Sequence, residues 1–196
     1  MSLDENVKNA VVVLQKTYES VYHLLEQCKA VSEDYGYLLS SDKFLRWRSD
    51  VNTDGWLLNS LILVFQRAGD PDCPSGNGWK DGPFYAVQVF LGSAEEPGLS
   101  AQLYAARYDY EDINSGWTDD RLSPADHWAF YNPTHEIYSE FCFKEEGGIF
   151  SSTPISDKYI RQYWGLRRAV WRTFPLSSVT PENLGRLVFE TFDGLK

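Results

Sequence analysis

The chain is poor in cysteine: Cys28, Cys73 and Cys142 are the only three in 196 residues. Three scattered thiols are too few for a disulfide framework or a zinc site, and their odd number argues for a reducing, cytoplasmic setting. Cys73 follows Asp72 and lies near Asp70, anions that disfavour a thiolate, so a reactive cysteine is not expected there. An apolar secretory core is also missing, since the opening MSLDENVKNA carries acids in its place. No apolar run reaches the roughly 20 residues of a membrane span. Positive charge is scarce: 18 Lys and Arg against 28 Asp and Glu leave a net charge of −10. Such a field repels polyanions, so generic binding to nucleic acid or to an anionic membrane is not expected. Also absent are the G-x-S-x-G elbow, the P-loop, H-E-x-x-H, Cys-x-x-Cys and a nuclease-like E-x-K strand. Their absence lowers the expectation of an enzyme, and no cofactor is implied.

Apolar and aromatic residues are plentiful. Hydrophobic content of 43% and aromatic content of 15%, with seven Trp, exclude a disordered chain. A chain of 196 residues suits one domain over 1–196, able to bury about 70% of its unfolded surface. Neither an internal repeat nor a low-complexity tract interrupts it.

The most apolar run is Trp56 to Arg67, WLLNSLILVFQR. Its length and its Gly- and Pro-bearing flanks predict a buried strand. Asp54-Gly55 before it is a type I′ hairpin signal, because both residues tolerate positive φ. Folding back there would pair Val51 with Leu58, Trp47 with Ile62 and Leu45 with Val64 on one face.

Upstream, Val7, Val11, Leu14, Tyr18, Val21, Leu25 and Cys28 recur at alternating spacings of four and three, which predicts one helix from about Asp4 to Ala30. The stripe either lies across its own sheet or forms a homodimer seam; Val12, Val13, Tyr22 and Leu24 widen it beyond one contact. Residues 69 to 83 form a Gly- and Pro-rich loop, of a kind often functional or mobile. Its Gly76-Asn77-Gly78 lacks the strand and helix of a phosphate-binding turn.

Phe84 to Gly92 and Ala101 to Tyr110 read as a hairpin with an acidic tip, and His135 to Lys144 as a strand turned by Glu145-Glu146-Gly147-Gly148. Cys142 on that strand is expected to be buried. Ser156-Asp157 predicts a helix to about Thr173, and Thr180-Pro181-Glu182 a last helix through about Phe192. The expected fold is α+β: a long N-terminal helix, an antiparallel sheet of five to six strands, and two C-terminal helices on one face.

Four groups of residues are candidates for function. Asp50 to Gly55 matches the start of a calcium loop, but Leu58 and Leu61 stand where later ligands belong, so a turn is the simpler reading. Tyr104, Tyr108 and Tyr110 share one strand face that either packs or floors a ligand groove. His127, His135 and Glu136, near Asp109, Glu111, Asp112 and Asp126, offer the imidazole and carboxylate of a hydrolytic metal site without a helix-borne spacing. Lys158, Arg161, Arg168 and Arg172 would line one helical stripe beside Gly165, paired internally or open to an anion or acidic partner. The leading expectation is a non-catalytic cytoplasmic module that binds a protein partner or itself. The alternative is a metal-assisted hydrolase using the His127, His135 and Glu136 cluster.

Overall fold

Helix α1 (Leu3–Ser32) starts at a capping box, in which Ser2 Oγ accepts from the Glu5 amide at 3.2 Å and Glu5 accepts from the Ser2 amide at 2.9 Å. Thirty residues make it about 45 Å long. A short 3₁₀ turn and Gly36, at φ 79°, reverse the chain into the sheet. The computed structural model describes residues 2–41, 43–51, 53–76, 78–93, 98–117 and 126–196. Asn52 of the calcium-like hexapeptide, Asn77 of the Gly-rich loop, the acidic tip at 94–97 and the acids within 118–125 lie outside the described residues.

Seven strands form one antiparallel sheet: β1 (Tyr37–Leu39), β2 (Ser60–Arg67), β3 (Phe84–Phe90), β4 (Gln102–Tyr110), β5 (Phe141–Glu146), β6 (Ile149–Pro154) and β7 (Leu166–Pro175). Their order across the sheet is β1-β2-β3-β4-β7-β6-β5. The α+β class and the long first helix are as expected; the sheet has seven strands rather than five to six. Strand β2 is buried on both faces from Ser60 to Gln66, as a central strand should be. Gly147 and Gly148, at φ 59° and 75°, make the tight turn that pairs Glu146 with Ile149.

Two strands were not expected, the short edge strand β1 and the long β7. The helix expected from Ser156 stops after one and a half turns as α4 (Asp157–Gln162), because Trp164 and Gly165 both take left-handed conformations, at φ 53° and 86°. Residues beyond them add to β4 with a bulge at Arg167, between the Asp109–Arg168 and Tyr110–Leu166 pairs. Only one long C-terminal helical run remains: α5 (Pro181–Gly185), a π-helical segment Arg186–Glu190, and α6 (Thr191–Gly194). It starts as expected at Thr180, whose amide donates to Asn183 Oδ1 at 2.9 Å.

The Asp54-Gly55 hairpin is not formed. Residues Thr53–Trp56 make a 3₁₀ turn, and Leu45 pairs with Ile62 rather than Val64. A slip of two residues keeps Leu45 on the expected face, but Trp47 and Val51 are left exposed. Gly55 is required for close approach and not for positive φ: a Cβ there would meet Ser49 at 2.5 Å.

The two faces of the sheet are covered differently. On one side Leu61, Leu63, Phe65, Val87, Val89, Leu103 and Ala105 pack against Val21, Leu25 and Cys28 of α1 and Leu184, Val188, Phe189 and Phe192 of the C-terminal run. Arginines anchor the end of that run: Arg67 pairs with Asp193, Arg107 donates to the Leu195 carbonyl at 2.8 Å, and Arg168 donates to the Lys196 carbonyl at 3.0 Å. On the other side the cover is irregular chain. It includes α2 (Ile113–Gly116), α3 (His127–Tyr131) and, from the loop at 69–83, Cys73 and Trp79, packed largely ring against ring. That loop is tied down by Gln66, whose amide accepts from the Lys80 amide at 3.1 Å and donates to the Lys80 carbonyl at 2.9 Å.

Candidate functional site

The loop-covered face holds most of the residues with obvious chemistry, and packing uses them. Tyr104 and Tyr108 are buried and Tyr110 nearly so, in one cluster with Ile113, Trp117, Ala129, Phe130 and Tyr131, so this row is core and not the floor of an open groove. Tyr108 donates to the Phe130 carbonyl at 2.7 Å, and burial drives its phenol pKa upward. Tyr110 packs edge-on against Trp117 with centroids 4.7 Å apart.

His127, Tyr131 and His135 follow at intervals of four, and their rings stack in that order. His127 lies 4.9 Å from Tyr131, Tyr131 lies 3.8 Å from His135, and His135 lies 5.3 Å from Tyr104. Tyr131 therefore separates the two imidazoles, while Glu136 points to solvent from the following turn. The three proposed ligands do not converge, and no group of three metal-binding side chains occurs among the described residues. Buried His135 instead joins a polar network: Gln88 Nε2 lies 2.9 Å from His135 Nε2 and 3.1 Å from Ser60 Oγ, and Thr134 Oγ1 donates to Gln88 Oε1 at 3.3 Å. An amide nitrogen donates both its hydrogens, so the His135 nitrogen accepts. Burial, with His135 nearby, lowers the His127 pKa to about 4.

The four bases expected on one helical stripe are divided. Lys158 and Arg161 are exposed on α4, whereas Arg168 and Arg172 stand on β7, on the helix-covered side of the sheet. On that side the helices cover β7 only in part, burying Val170 but leaving its arginines exposed. Arg168 and Arg172 of β7, Thr153 of β6, and Cys142 and Lys144 of β5 are all exposed there. Cys142, expected in the core, thus faces solvent on an edge strand, because Phe141 and Phe143 take the inward positions. Where the C-terminal run meets this ledge a half-open cleft of about 320 Å³ lies between Arg172, Ile149 and Phe174 below and Arg186, Leu187 and Glu190 above.

The second uncovered surface belongs to α1. Its stripe divides in the middle: Val21 and Leu25 are 3% and 1% exposed, whereas Val7 and Val11 are 57% and 59% exposed. Only the C-terminal half lies on the body. Tyr18 marks the boundary, its hydroxyl accepting from the Leu58 amide at 2.9 Å, which brings exposed Trp56 and Leu57 beside the overhanging half. Val11, Leu14, Tyr18 and Tyr22 line a shallow groove of about 480 Å³ there.

No protein-family model, curated protein or solved structure matches this chain. No helix among the described residues is long and apolar enough to cross a membrane. Sequence reasoning missed Arg186 and Glu190, since no spacing within the last helix announces a cleft whose floor is another element. It also missed Trp56 as a surface residue, placing it in the buried strand.

Proposed function

We propose that this chain is a non-catalytic, cytoplasmic binding module that associates with a second copy of itself through the first half of α1. One observation carries the reading: a single heptad stripe is sealed against the body from Val21 onward, half-buried at Leu14 and Tyr18, and open at Val7 and Val11. Spacings of four and three are those of a helix that meets another helix, and an isologous pair covers both open halves with each other. Charge favours a like partner at this place. Within Leu3–Tyr18 two acids, Asp4 and Glu5, are balanced by two bases, Lys8 and Lys16, in a chain that otherwise carries the whole net charge of −10. Two copies therefore meet at a segment that carries no net charge. Trp56 and Leu57 extend the contact as aromatic and aliphatic anchors. Three free cysteines support a reducing compartment.

The double substitution Val11→Asp with Leu14→Asp tests this. In sedimentation velocity the unaltered chain is expected to run as a dimer, and the variant as a monomer with unchanged far-UV circular dichroism. A variant that sediments like the unaltered chain would remove α1 as the contact.

A further inference from the structure

The cleft at the edge of the C-terminal run has a composition unlike the rest of the surface. Arg172 rises from β7 on its floor and Arg186 descends from the π-helical segment on its wall. Neither guanidinium has an ion-pair or hydrogen-bond partner among the described residues, although Arg67, Arg107 and Arg168 nearby are all engaged. Glu190, one helical turn from Arg186, is the one acid lining the cleft among the described residues, and Ile149, Phe174, Leu187 and Leu195 give it an apolar lining. A π-helical segment is rare and recurs at functional sites; here it carries both Arg186 and Glu190 into the cleft.

We propose that this cleft binds a small organic carboxylate with a short aliphatic tail. The two guanidiniums present forked donors to the carboxylate, the geometry for which arginine is suited. The apolar lining takes the tail, and a cavity of about 320 Å³ limits it to a few carbons. Glu190 selects against a dianion, because a second negative charge would approach a carboxylate of the same sign, whereas a monoanion is held by the two arginines. Inorganic phosphate is therefore the discriminating competitor. Arg168 plays no part, since it is held by the Lys196 carbonyl outside the cleft. The site is independent of the α1 contact and is occupied in monomer or dimer alike.

The test is an amide ¹H–¹⁵N titration of the full chain with 4-methylpentanoate and, separately, inorganic phosphate. Saturable shifts are expected at Phe174, Leu187, Gly194 and Leu195 with 4-methylpentanoate, and weaker binding of phosphate. Arg172→Ala and Arg186→Ala should each weaken 4-methylpentanoate by about tenfold, the usual effect of losing a charged hydrogen bond. Arg168→Ala should leave it unchanged, and Arg172→Lys should recover part of the loss. Shifts that do not saturate, equal binding by the Arg172→Ala and Arg186→Ala variants, or phosphate binding as tightly as 4-methylpentanoate would each overturn the proposal. Because both arginines are exposed, spectra of the variants should match the unaltered chain away from the cleft.

Discussion

The two sides of the sheet are sealed by covers of different shape. On the loop-covered side irregular chain follows the strands closely, and every tyrosine, histidine and tryptophan brought there is stacked or hydrogen-bonded in place. On the helix-covered side the cover is rigid, and it matches the sheet poorly at both ends. Helix α1 is longer than the body beneath it, and the C-terminal run covers β7 only in part. Irregular chain can bend to fit what it covers, whereas a helix of thirty residues extends by its own 1.5 Å per residue whatever lies under it. The surfaces left over, an overhanging stripe and an arginine-bearing cleft, therefore both lie on the helix side. Residues with the more suggestive chemistry are consumed on the other.

Breaking the sealed part of the helix side should have the largest effect. Leu25→Ala removes a fully buried side chain between α1 and the sheet, and a loss of about 2–5 kcal/mol in urea unfolding is expected. The loop side should respond to pH instead. Unfolded, the His127 imidazole takes a proton near its ordinary value of 6.5; folded, it does so only near 4. Between those values the unfolded chain binds the extra proton, so this contribution is complete above about pH 6.5 and is lost as pH falls toward 4. Between pH 7 and pH 5 it amounts to about 2 kcal/mol. His127→Phe keeps a ring on Tyr131 and should remove that part of the slope, which unfolding curves at the two pH values would reveal. A slope unaltered by the substitution would mean that His127 titrates normally. The smallest change in folding stability is expected on the overhang. Val7→Ala with Val11→Ala should alter the stability of the monomer by no more than about 0.5 kcal/mol while weakening self-association. A large loss in the isolated monomer would mean that the overhang packs on its own body after all.

The sequence made the regular elements legible where local chemistry and pattern agreed. Helix α1, the β3–β4 hairpin, the Gly147-Gly148 turn and the Thr180 cap were all readable, since each is specified by residues a few positions apart. Strand β7 was not, for a particular reason. Arg168 and Arg172 are four apart, a separation that puts two residues on the same face of a helix and equally on the same face of a strand. What decides between them is the left-handed pair Trp164-Gly165 and the free edge of β4, neither of which spacing can express. The tyrosine row was placed on the right face, but whether that face is open depends on the segment folded over it, some ten to thirty residues further on. The histidines failed as ligands for a related reason. Intervals of four set His127, Tyr131 and His135 in a stack, and the tyrosine occupies the space that a metal would need. The heptad stripe was readable as a helix, with Val21, Leu25 and Cys28 on its own body. Its division into sealed and open halves depends on where the body ends.

Native mass spectrometry of the untagged full chain over a dilution series would show whether two copies associate through α1. A mass of twice 22.5 kDa that gives way to the single mass on dilution, and is absent in Val11→Asp with Leu14→Asp, is the predicted result. A single 22.5 kDa species at every concentration would contradict the account.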